Sequence, residues 1–185
     1  MKLMHDPSMD EKPLSTTSAF EGRLLHVMVD KVLLPNGRTS TREYVKHQGA
    51  VGILPVLPDG SMVFVKQFRY ALGAVIYEIP AGKLEPGEEI FASAKRELSE
   101  ETGLEADTWV PLTSTVTTPG FTNETIHLYL ATDLHQGKKH PDPDEFLDNV
   151  TFTEAQVKEM VRNGDLFDAK SLAALLAYFL YKDKK

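Results

Sequence analysis

Three glutamates carry the first chemical signal in this chain. Glu97, Glu100 and Glu101 fall within Gly82–Leu104, which reads GKLEPGEEIFASAKRELSEETGL. On a helix, residues three and four apart are neighbours, so these carboxylates crowd one face within an arc of about 100°. Their mutual repulsion costs a few tenths of a kcal/mol per pair on a solvated helix, and more where water is excluded. A divalent cation removes that cost. Oxygen-only donors suit hard ions such as Mg²⁺ or Mn²⁺ rather than zinc, which prefers His and Cys. Arg96, beside Glu97, can orient a carboxylate or contact phosphate. A backbone carbonyl in the Ile79–Gly82 loop can complete a metal shell.

The element that must present these groups is legible around them. Pro86-Gly87 is a turn signal, and Glu88-Glu89 suit the positive end of a helix. Phe91, Ala94 and Leu98 repeat with helical period, and Gly103 supplies a left-handed stop. A helix over roughly 88–102 is predicted.

Upstream, residues 1–18 hold several Pro, Ser and Thr and read as a mobile tail. Residues 25–34 and 38–47 read as strands around the turn Pro35-Asn36-Gly37, a hairpin within an N-terminal unit at 19–48. The rest, 49–185, reads as one domain. Its predicted strands are 50–57, 62–68, 75–79, 109–116, 125–131 and 149–152. His135 to Asp144 reads as a polar loop. Thr153 to Gln156 resembles a capping box opening a helix that stops at Asn163-Gly164. Asp168 starts a last helix, with Leu172, Leu175, Leu176 and Phe179 expected to face a core. The sum is an α/β chain with a mixed sheet between helices, an α/β/α sandwich behind a small antiparallel β unit.

Composition narrows the partners. The chain has 185 residues and a formal charge of −7, which argues against nucleic acid as a bulk partner. With no cysteine there is neither disulfide nor thiolate chemistry, consistent with a reducing, cytoplasmic setting. No charged-then-apolar leader opens the chain, and the apolar stretch 172–181 is too short to span a membrane.

Written as Gly82-x5-Glu88-x7-Arg96-Glu97-Leu98-x-Glu100-Glu101-x-Gly103-Leu104, the segment resembles the Nudix box, the signature of enzymes that hydrolyse nucleoside diphosphates linked to another group. The flanks resemble the branch acting on ADP-ribose and nucleoside diphosphate sugars. They are Gln67-Phe68-Arg69-Tyr70, Tyr77 to Gly82, Pro119 fifteen residues beyond Leu104, and the tail segments 144–146 and 167–171. The resemblance implies a pyrophosphohydrolase binding two or three Mg²⁺ ions, replaceable by Mn²⁺, on the Ala81 carbonyl, Glu97, Glu100 and Glu101. It implies that Arg96 positions the acidic cluster and that Arg69 contacts the diphosphate. Arg42 and Glu78 are further substrate-binding candidates. Glu124 is implied to bind the distal ribose across a homodimer interface built by an exchanged N-terminal hairpin, with Phe20 or His26 stacking the base. Water attacking phosphorus must lose a proton, and box glutamates that hold metal are not free to take it. Glu145, in a polar loop, is the candidate base; Asp144 and Asp148 are alternatives, and Glu100 is the candidate within the box. GDP-mannose and ADP-glucose remain alternative substrates, and a ligand sensor without turnover remains an alternative function.

Overall fold

A computed structural model of the chain describes residues 4–137 and 146–183. Its backbone contacts separate into two compact units, residues 1–49 with 116–125, and residues 50–115 with 126–185.

The first unit is a three-stranded antiparallel sheet of β1 (Lys12–Glu21), β2 (His26–Leu33) and β3 (Thr39–Lys46), in that order. The expected hairpin is β2 and β3, in unbroken register from His26 opposite Lys46 to Leu33 opposite Thr39. The tail assignment for residues 12–18 is corrected. They form most of β1, pairing from Lys12 opposite Leu33 to Glu21 opposite His26, with two register shifts. Every residue of β1 is exposed. The strand is held by its backbone ladder, which a Ser/Thr-rich run supports as well as an apolar one, so no burial pattern announced it.

The second unit holds two sheets. One has the order β7 (Ala81–Lys83), β4 (Ala50–Pro55), β9 (Thr125–Gln136), β8 (Leu104–Val116), with β4 and β9 parallel and β4 and β7 antiparallel. The other is antiparallel, in the order β10 (Leu147–Phe152), β5 (Met62–Arg69), β6 (Ala74–Glu78). β4 is buried throughout, and its alternation divides the core. Val51 and Ile53 pack with Ala94 and Leu98 of α1 (Ile90–Thr102). Ala50 and Leu54 pack with Val157 of α2 (Glu154–Asn163) and with Ala174, Leu175 and Tyr178 of α3 (Ala169–Lys182). This is the expected α/β/α sandwich.

Four local expectations change. The single mixed sheet is two sheets. The strand β7 was not anticipated, being three residues that include a glycine. His135 and Gln136 continue β9 rather than begin a loop, and residues 138–145 lie outside the described residues. On α3 the buried face is Ser171, Ala174, Leu175 and Tyr178, while Leu176 is 63% exposed. Ser171, Ala174, Leu175 and Tyr178 form one i, i+3, i+4, i+7 stripe on the core, and Leu176 lies one residue, about 100°, beyond Leu175. No helix among the described residues is long and apolar enough to cross a membrane.

Candidate active site

Helix α1 sets the geometry of the acids. Glu89 caps it, accepting a hydrogen bond from the Ala92 amide at 2.9 Å. Gly103 ends it with φ 71°, donating its N–H to the Ser99 carbonyl at 2.8 Å. Ala94 and Leu98 hold one face on the sheet, which leaves Glu97 and Glu101 at the edge of that contact, both buried.

Two backbone features seat these carboxylates. Glu101 accepts the Ala81 amide N–H at 3.0 Å. Glu97 lies against Gly82 so closely that a Cβ there would stand 2.0 Å from its carboxyl carbon and 2.0 and 2.2 Å from its two oxygens. The glycine leaves room for the acid. Arg96 then ties the set together. Its Nε and Nη2 grip both oxygens of Glu88 at 2.8 and 2.9 Å, and its Nη1 donates to Glu97 and Glu100 at 2.8 Å each. The hydrogen bond from Arg96 holds Glu88 down to a pKa of about 2, and the Glu88 bond is the main cause of an Arg96 pKa raised well above its usual value.

One guanidinium therefore bonds the carboxylates of Glu88, Glu97 and Glu100, while Glu101 is held by the Ala81 amide. Among the described residues no group of three or more His, Cys, Asp or Glu already forms a metal cage, and Arg96 bonds three of the acids. The donor chemistry nevertheless fits a hard divalent cation: the donors are oxygen, two of the acids are pinned by or against backbone, and the cluster retains excess negative charge.

A second charged cluster adjoins the same segment. Arg69, at the end of β5, donates from Nε to Glu78 Oε1 at 2.6 Å. Lys170, in the first turn of α3, donates to the other oxygen of Glu78 and to Asp168 Oδ2, the latter at 3.0 Å. Glu78 is 2% exposed. Burial pushes its pKa up, but Arg69 and Lys170 outweigh that and hold it below the ordinary carboxylate value. Asp168 also caps α3, accepting the Ser171 amide at 3.1 Å, and the Ser171 hydroxyl accepts the Ile79 N–H at 2.9 Å. The start of α3 thus pins the chain entering the Ala81–Gly82 segment. The charge of Glu101 reaches Arg69 as well.

Residues 46–175 match the NUDIX domain family, and residues 11–45 match the nucleoside diphosphate sugar hydrolase N-terminal domain. The chain belongs to the Nudix family. It is 42% identical over 170 residues to an ADP-ribose pyrophosphatase of Bacillus subtilis (strain 168), covering 91% of this chain and 92% of that one. It is 41% identical over 168 residues to a methanol dehydrogenase activator of Bacillus methanolicus, covering 90% and 91% respectively. A crystal structure of an ADP compounds hydrolase superposes with a TM-score of 0.87 at 21% identity, covering 97% of this chain and 98% of that one, a likeness of fold. The protein is a Nudix hydrolase, and Nudix hydrolases generally use divalent metal ions.

Of the residues named from sequence, Ala81, Arg96, Glu97, Glu100 and Glu101 meet around the start of the Nudix box, and Arg69 pairs with Glu78 beside it. Glu124, Arg42, Phe20 and His26 lie in the N-terminal unit. There Glu124 accepts a hydrogen bond from Thr117 Oγ1 at 2.6 Å, and its other oxygen stands 3.5 Å from His47 Nε2. His47 is itself clamped by Asn123, whose Oδ1 accepts the His47 N–H at 2.7 Å and whose Nδ2 donates to the His47 carbonyl at 3.1 Å. Arg42 is engaged with Glu11 and the Thr41 carbonyl. Phe20 is 56% exposed on β1, and His26 pairs with Glu21. Asp148 lies on β10, opposite Lys66 of β5. Glu145 and Asp144 lie outside the described residues.

Sequence reasoning gave no part in the site to Lys170, His47 or Thr117, and gave Asp168 only the start of the last helix, which it caps. Lys170 and Asp168 lie in the Phe167–Ser171 segment noted for its resemblance. Glu78, the partner of Lys170, is about ninety residues away in sequence, a distance at which spacing carries no signal.

Proposed function

We propose that this Nudix hydrolase cleaves ADP-ribose or a related nucleoside diphosphate sugar, with Mg²⁺ or Mn²⁺, as a cytoplasmic homodimer. The reading rests chiefly on one observation: a complete box whose acids are seated by backbone contacts, beside an arginine whose outer edge is open. Relatives of nearly full length add support, among them one named ADP-ribose pyrophosphatase.

Glu97, Glu100, Glu101 and the Ala81 carbonyl would hold two or three ions. When bound, these supply the positive charge that neutralises the diphosphate and stabilises the departing oxygen. The chain's own residues do the rest. Arg96 spaces the carboxylates and keeps Glu88 ionised. Arg69 is anchored through Nε, and no described residue accepts from its Nη1 or Nη2, so that fork is free for phosphate oxygens. Glu145 takes the proton from the attacking water. Water adds at one phosphorus, the bridging P–O bond breaks, and the products are a nucleoside monophosphate and a sugar phosphate. For ADP-ribose these are AMP and ribose 5-phosphate. Glu124, aimed by Thr117, would contact the distal ribose, with Phe20 or His26 stacking the base. The wholly exposed strand β1, with Leu14 and Phe20 each more than half exposed, supports pairing with a second copy.

The test is purified protein with a panel of ADP-ribose, ADP-glucose and GDP-mannose, with products identified chromatographically. Mg²⁺-dependent release of AMP from ADP-ribose, abolished by EDTA, is expected. Full turnover in chelator would overturn the metal reading. Tight binding without turnover would make the protein a sensor instead.

A further inference from the structure

Arg69 reaches the diphosphate only if its charge is not spent inside the protein. Its bonded cluster holds two carboxylates, Glu78 and Asp168, and one other cation, Lys170, while the charge of Glu101 acts on Arg69 from the neighbouring acidic set. Glu78 is almost sealed from water, and the side chains of Lys170 and Asp168 are only 13% and 14% exposed. Solvent therefore screens these charges poorly, and each must be balanced locally. The four groups sum to zero, and the geometry divides the work. Lys170 satisfies one oxygen of Glu78 and one of Asp168. Arg69 then gives Glu78 a single Nε–H and keeps both Nη groups outward, with its side chain 42% exposed.

We propose that Lys170 is a positioning residue for the diphosphate site: by neutralising Glu78 and Asp168 from below, it frees the Arg69 fork for the substrate's phosphates. This rests on the reading of Arg69 as the phosphate contact. Without Lys170, Arg69 is the one cation that the described residues leave to Glu78 and Asp168. Its guanidinium turns inward, and the cluster becomes net negative where an anion must bind. Asp168 acts in the opposite sense, because its charge draws on the same two cations.

The two residues therefore have effects of opposite sign, which a merely structural role does not produce. Lys170→Met keeps the length and apolar stem of the side chain. It is expected to raise KM and calorimetric Kd for ADP-ribose about tenfold, the scale of one charge-assisted contact, with kcat within about twofold. Lys170→Arg restores the charge and should bring KM back to within about twofold of wild type. Asp168→Asn keeps a good helix cap and removes one negative charge, so Kd should fall about two- to threefold. In an Arg69→Gln background, Lys170→Met should add clearly less than its full loss, because there is no fork left to free and only the change in net charge remains.

A lower melting temperature with unchanged KM in Lys170→Met would overturn the proposal, as would an equal KM increase in the Arg69→Gln background. Should Lys170→Met not fold, Asp168→Asn decides, and an unchanged or weakened Kd overturns the proposal. Wild type that binds ADP-ribose without hydrolysing it would refute the hydrolase reading while leaving the Kd comparison valid. Wild type that neither binds nor hydrolyses it would refute both.

Discussion

Replacing Gly82 with alanine would set a methyl group 2.0 Å from the carboxyl carbon of Glu97. Gly82 is not among the glycines at positive φ, so alanine can take its backbone conformation without strain. Gly→Ala at a compatible site stabilises a fold by about 0.4–1 kcal/mol through the unfolded chain. The clash falls on the far end of a flexible side chain and not on backbone, so the protein relieves it by moving Glu97. Ordinary contact begins near 3.4 Å, so the carboxylate must retreat by about 1.4 Å. That retreat breaks its 2.8 Å bond from Arg96 and removes it from any metal it holds. Misplacement of a reacting group by about 1 Å can cost about 10²-fold. Gly82→Ala is therefore expected to melt within a few degrees of wild type, to lose at least ~10²-fold in kcat/KM, and to bind Mn²⁺ more weakly by calorimetry. Normal kcat/KM and Mn²⁺ affinity would refute this account. A collapse of the melting temperature would mean that Gly82 serves the fold rather than the seat of Glu97.

Other expectations follow from the same cluster and from the proposed roles. Glu101→Gln removes a charged oxygen yet keeps an acceptor for the Ala81 amide, so kcat should fall at least ~10²-fold with little change in melting temperature; near-normal kcat would exclude Glu101 as an ion ligand. Glu88 is ionised down to about pH 2 by its bonds from Arg96, against a usual value of 4.5. Its depressed pKa contributes stability that is complete above about pH 4.5 and is lost as pH falls toward 2. Denaturant titrations should show a smaller loss across that window in Glu88→Gln, and identical slopes would count against the Arg96 pairing. Glu145→Gln should lower kcat by about 10²–10⁴-fold with Kd for substrate nearly unchanged. Normal turnover there, together with an inactive Asp144→Asn or Asp148→Asn, would move the base within that segment. Light scattering at micromolar concentration should give twice the chain mass; a monomer would remove the rationale for Glu124 acting across subunits.

The sequence by itself determined whatever depends on short spacing. Helical period placed Glu97, Glu100 and Glu101 on one face, Glu88-Glu89 and Gly103 marked the ends of α1 within two residues, and Thr153 announced α2 by its capping box. These are local because a helix relates residues only a few positions apart. Tertiary structure decided what rests on distant pairs. β1 exists through a ladder with β2, not through any apolar face of its own. The buried side of α3 is the Ser171, Ala174, Leu175 and Tyr178 stripe that the packed sheet and α2 select, which leaves Leu176 outside although it is equally apolar. Gly82 is recognisable in the box as a glycine, but only the packed helix shows that the space it leaves is filled by Glu97. The charge on Arg69 is readable from sequence. Its direction is set by Glu78 and Lys170, which the fold brings together from opposite ends of the hydrolase domain.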